Sequence, residues 1–148
     1  MKIKQTAVAG ALASIIAMPA FAELDTGGAQ ASANVAIFAA ITQLDNFVLE
    51  NNIGVDGAAN ATYVASEPFN LESNAQVRVT IAAGSMTNGS DTLSTIYRFE
   101  NGTATLDTET DSVHNQEHYL NVTSVLGEIS DQKAGDYAAD VLLTVSAL

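Results

Sequence analysis

Val77-Arg78-Val79-Thr80-Ile81 decides the fold. Three β-branched apolar residues take every second position, with an arginine and a threonine between them. A period of two presents one apolar and one polar face, the pattern of a strand half-buried against a core. Turn residues bound it, Ser73-Asn74 before and the glycine-containing run Gly84 to Asp91 after.

The same alternation recurs outward in both directions. Downstream, Thr95, Tyr97 and Phe99 oppose Ile96, Arg98 and Glu100 within Ser94 to Glu100. Leu120, Val122 and Leu126 oppose Asn121 and Thr123 within His118 to Leu126, and Tyr137, Ala139, Val141, Leu143, Val145 and Ala147 share one face of Tyr137 to Leu148. Upstream, Pro68 is expected to start a short edge strand running to Glu72. Asn46 to Glu50 is a further strand candidate, with Phe47 and Leu49 on one side. Ala33 to Ile41 aligns Val35, Ile37, Ala39 and Ile41 at period two; it reads as a strand, with a helix as competitor because alanine is frequent.

Loops separate these runs. Asn51 to Ala61 holds a tight turn at Asp56-Gly57, and Gly127 to Gly135 is a connection. Asn101-Gly102 is the strongest short turn signal and predicts a hairpin from Tyr97-Arg98-Phe99 into Thr103 to Leu106. Asp107 to Glu117 is polar and acidic and reads as an exposed loop. About seven or eight short strands punctuated by turns predict an all-β fold: a single antiparallel Ig-like β-sandwich over residues 33–148.

The first residues carry an address. Lys2 and Lys4 precede an uncharged apolar run from Thr6 to Met18, then Pro19 and the small-x-small triplet Ala20-Phe21-Ala22. This is the layout of a secretory signal peptide over residues 1–22, with an apolar run too short to span a bilayer. Residues 23–32 (ELDTGGAQAS) read as a flexible leader. The mature chain, Glu23 to Leu148, is expected to be secreted by a bacterium to the periplasm, the cell surface or the exterior, with no membrane span.

Cleavage would leave Arg78, Arg98 and Lys133 against 17 acids, a net charge of −14. Such a surface repels nucleic acid and anionic membranes, both of which need clustered lysine and arginine. It favours solubility outside the cell. The chain has no cysteine, which excludes disulfides, thiolate metal sites and a cysteine nucleophile. It has no tryptophan, so sugar stacking would fall to Tyr63, Tyr97, Tyr119 and Tyr137.

Asp131-Gln132-Lys133-Ala134-Gly135-Asp136-Tyr137, followed by Val141-Leu142-Leu143-Thr144-Val145, resembles the last strand of small exported bacterial β-sandwich domains of the spore-coat-U and fimbrial-subunit kind. There an Ala-Gly-x-Tyr turn feeds a terminal strand ending in Thr-Val. The resemblance covers about 15 residues and implies a structural subunit of a surface fibre or coat. It also implies that an N-terminal extension, here Ala31 to Ile41, completes a neighbour's sheet; the simpler reading makes that run the first strand of its own domain. The chain departs from the pattern in lacking a cysteine pair and in ending Ser146-Ala147-Leu148, without a penultimate tyrosine.

Candidate sites are few. His114 and His118, with Glu117 between them, would share a helix face usable by zinc, but the segment reads as a loop entering a strand. An ordinary exposed pair is expected. Asp107, Glu109 and Asp111 alternate in a loop and are the candidate ligands for calcium, which takes six to eight oxygens; the glycine and bidentate glutamate of an EF-hand are missing. No G-x-S-x-G occurs, and no catalytic residue or other cofactor site is nominated. The sequence therefore predicts a non-enzymatic structural subunit of a surface filament, pilus, coat or biofilm matrix that self-associates or joins related subunits through strand edges. The alternative is a secreted calcium- or carbohydrate-binding module.

Overall fold

A computed structural model describes residues 29–110 and 112–148. The expected signal peptide at 1–22 and residues 23–28 of the leader lie outside the described residues. The chain divides into two units, Met1–Asn34 and Val35–Leu148. Residues 29–34, the described part of the first, are exposed and carry no regular secondary structure.

Among the described residues the second unit forms nine strands: β1 (Ala39–Thr42), β2 (Glu50–Ile53), β3 (Thr62–Ser73), β4 (Val77–Ala83), β5 (Met86–Asn88), β6 (Asp91–Phe99), β7 (Thr105–Asp107), β8 (His114–Val125) and β9 (Val141–Ala147). A 3₁₀ turn, Ile129–Asp131, is the one helical piece described. Every pairing is antiparallel. The larger sheet runs β1-β3-β8-β6-β5, with β2 also on β3, and the smaller runs β7-β4-β9. The 12-residue strands β3 and β8 pair along their whole length, from Thr62 opposite Val125 to Ser73 opposite His114.

Period-two burial builds the core as the alternation predicts. Phe69, Leu71, Phe99, Leu120 and Val122 point in from the larger sheet, and Val77, Val79 and Leu106 from the smaller. The result is a sandwich-like all-β fold. Each such side chain contributes about 1.5–3 kcal/mol by leaving water. Phe69 and Phe99 sit at the centre with ring centroids 5.8 Å apart.

The structure corrects four local expectations. Pro68 lies inside β3, not at a strand start. Opposite it, the Tyr119 N–H turns away from β3 and donates to Glu100 at 3.1 Å. The Pro68 nitrogen therefore faces the other side of β3, between the residues paired to β2 and those paired to β1, where no strand pairs among the described residues. A missing donor costs nothing there.

Asn101-Gly102 does turn the chain, with Gly102 at φ +78° and its N–H on Phe99 O at 2.9 Å. The expected hairpin does not follow. The Asn101 side chain accepts from Thr103 N–H and donates to Thr105 O, both at 2.9 Å, so the ladder stops there. β7 leaves for the other sheet, where it pairs with β4 and buries Leu106.

The second candidate strand, Asn46 to Glu50, is displaced to β2. Phe47 and Leu49 instead pack on the core from the connection before it. The last strand begins at Val141 rather than Tyr137. Ala138 exchanges two backbone hydrogen bonds with Thr87 and thereby covers the edge of β5.

Candidate functional site

The expected first strand is split. Only Ala39 to Thr42 joins the sheet, as β1, and only Ala39 and Ile41 of the alternating face reach the core. Ahead of it the chain continues as an arm whose apolar side chains meet solvent: Val35 is 79 % exposed, Ile37 59 % and Phe38 65 %. Asn74 holds this arm. Its Oδ1 accepts from Phe38 N–H at 2.7 Å, its Nδ2 donates to Ala36 O at 2.9 Å, and its own N–H donates to Phe38 O at 3.1 Å. One polar side chain thus replaces the strand partner that the arm lacks.

A second polar group sits beside it. β3 extends to Ser73, and β8 accordingly begins at His114, four residues before the expected His118. His114 and His118 are therefore on a strand and buried, at 9 % and 8 % exposure, rather than free in a loop. Four residues along a strand span about 13 Å, so the rings meet only by leaning toward each other. Their Nε2 atoms are 2.8 Å apart, the ring planes are 11° apart, and the centroids are 5.1 Å apart. The centroid separation exceeds the nitrogen separation by about one ring diameter. The rings thus lie end to end in nearly one plane, joined by a straight N–H···N bond.

Glu100, one residue past β6, completes the line. Its Oε1 is hydrogen-bonded to His118 Nδ1, and its Oε2 accepts from Tyr119 N–H. Phe69 packs against the His118 ring, centroid to centroid 5.7 Å. Burial pushes His114 below its ordinary value, the neighbouring His118 adds to this, and Glu109 opposes it. Burial alone would raise the Glu100 carboxyl. The bond to His118, its own backbone N–H and that of Tyr119 outweigh burial and hold it below the usual range. An ionised Glu100 keeps the His118 proton on Nδ1, so one proton between the two Nε2 atoms satisfies both rings. A cleft of about 480 Å³, bounded by Phe38, Asn74, Val113 and His114, joins His114 to the base of the arm.

Two of the acidic residues nominated for calcium, Asp107 and Glu109, are described. Asp107 lies on β7 opposite Arg78, which grips it bidentately through Nε and Nη2, each at 2.6 Å. That bond and the guanidinium charge hold the Asp107 carboxyl below its usual range. Glu109 stands in the following loop, near enough for its charge to act on His114. Asp111 lies outside the described residues. Among the described residues no three His, Asp or Glu side chains converge as a metal cage would require.

Sequence reasoning missed Asn74 and Glu100. Asn74 stood out only as a turn residue, and its partners lie 36 and 38 positions away. Glu100 stood out only as the polar end of a strand. No protein-family model matches the chain, and no curated protein matches it.

Proposed function

We propose that this protein is an exported structural subunit of a bacterial surface filament, pilus, coat or biofilm matrix, and that it assembles through strand edges as an Ig-like sandwich. The observation that carries this reading is the arm. Val35, Ile37 and Phe38 form an exposed apolar segment ahead of a four-residue edge strand. Exposed apolar runs of this kind mark contact surfaces, and an extended segment completes its hydrogen bonds by adding to a sheet. The signal-like residues 1–22 and the acidic composition support export.

Electron microscopy tests it. The exported chain is expected to form ordered polymers, and deleting residues 29–38 should abolish them. That deletion spares β1 and the core beneath it. A strictly monomeric chain at every salt concentration, or a deletion variant that polymerises equally well, would overturn the proposal.

A further inference from the structure

β9 is the longest edge strand of the smaller sheet, and its outer side is bare. The phase of its backbone follows from β4. Thr108 N–H donates to Val77 O at 3.0 Å and Ile81 N–H donates to Ala104 O at 3.2 Å, so the odd-numbered β4 residues face β7. The even-numbered ones therefore bond β9, through Leu142, Thr144 and Ser146 opposite Ala82, Thr80 and Arg78. Leu148 N–H on Gln76 O continues that phase. It follows that Val141, Leu143, Val145 and Ala147 direct their N–H and C=O groups away from the sheet. Among the described residues none bonds them.

The other edge strands are short. β7 and β5 have three residues each, β1 and β2 have four, β2 carries Glu50 and a register shift, and Ala138 covers β5. β9 has seven residues (VLLTVSA) with no charge, no proline and no register shift. Proteins usually blunt a free edge with lysine, proline or a bulge, because it templates pairing with another chain. In a chain of net charge −12, an uncharged edge is also where a second copy meets the least repulsion.

We infer that β9 pairs antiparallel with β9 of a second copy, about a two-fold axis at Thr144. This deepens the strand-edge reading proposed above and rests on it. The register follows from the backbone phase. Outward-facing residues must oppose one another, which restricts the axis to a residue rather than a gap between residues. An axis at Thr144 sets Leu143 against Val145 and Val141 against Ala147, and it engages all seven residues. An axis at Leu143 or Val145 leaves the strand's end unpaired. In this register Thr144 meets its own twin, a favourable cross-strand pair, and Leu142, 63 % exposed, meets Ser146. The contact is isologous and closes on a dimer, so the arm remains the head-to-tail contact that extends a polymer.

Cysteine crosslinking tests the register cleanly, because the chain has no cysteine of its own. A non-bonded antiparallel pair brings Cα atoms to about 4.5 Å, within disulfide reach. In the full exported chain, Thr144→Cys is expected to oxidise to a dimer at least tenfold faster than Ser94→Cys, an exposed control on β6. Leu142→Cys alone should not crosslink, whereas its mixture with Ser146→Cys should. Sedimentation gives an independent readout: Thr144→Glu and Thr144→Lys should each abolish the dimer, and mixing them should restore it. A Thr144→Cys rate no faster than the control, or Leu142→Cys crosslinking as fast as Thr144→Cys, overturns the inference. Filaments without the Thr144 crosslink defeat this pairing and leave the filament reading standing. The crosslink without filaments defeats the filament reading alone.

Discussion

His114 is buried against His118, and that burial fixes how the fold answers acid. His114 is held below its ordinary value of 6.5, mainly by burial. The unfolded chain therefore takes up a proton near pH 6.5 before the folded chain does. Stability is full above that value and falls as pH drops through it toward the lowered folded value. Glu100 acts in the same direction further down. Its contribution is present above the usual carboxylate range and is lost as pH falls through its own lowered value. The charges facing the pair are Glu100 and Glu109, with Phe69 as the apolar wall. His114→Gln keeps a donor for His118 Nε2 and removes the titration. The urea midpoint of the unaltered chain is expected to fall between about pH 7.5 and 5, and that of the variant to fall by less. An unaltered chain that is flat across the same interval would show that burial does not hold His114 down.

At the scale of elements, the turn before β9 depends on one glycine. Gly135 has φ +136°, a conformation that side-chain-bearing residues rarely adopt, and a Cβ there would sit 2.7 Å from Asn88 Nδ2. Gly135→Ala is expected to cost about 1–2 kcal/mol. That corresponds to a fall in melting temperature of about 4 °C or more. Asn88 is a movable side chain, so most of the cost is backbone strain. Adding Asn88→Ala should recover less than half of it, and full recovery in a thermal melt would refute this partition. The Ala-Gly-x-Tyr turn was legible as a turn, but its role in laying Ala138 over β5 was not. β4 and β6 were legible because their alternating faces turn inward: Val77 and Val79 on β4 and Leu93 and Phe99 on β6 are buried, with Ile81 and Tyr97 half-buried. The arm shows the limit of that signal. Alternation at Val35 and Ile37 states that a face can be buried, not that a partner is present. The polar run His114 to Glu117 lacks alternation altogether. It becomes strand because Asn70 to Ser73 lies opposite, a pairing across more than forty residues that no local window contains.

Charge governs the whole molecule in solution. With 17 acids against five basic residues, copies repel one another at long range. The surfaces proposed for contact are the neutral ones: β9 and the arm Val35 to Phe38 carry no charged residue. Attraction is therefore short-ranged and apolar or backbone-mediated, while repulsion is electrostatic and can be screened. Screening lengths shrink from about 30 Å at 0.01 M salt to about 3 Å at 1 M. Sodium chloride should accordingly speed assembly steeply between those limits, as followed by light scattering, and leave the folded chain's circular dichroism unchanged. Sodium sulfate at equal ionic strength should go further, since it also strengthens apolar burial. Assembly that slows as salt rises would mean that ion pairs, not neutral edges, join the copies, and Arg78, Arg98 and Lys133 would become the residues to examine.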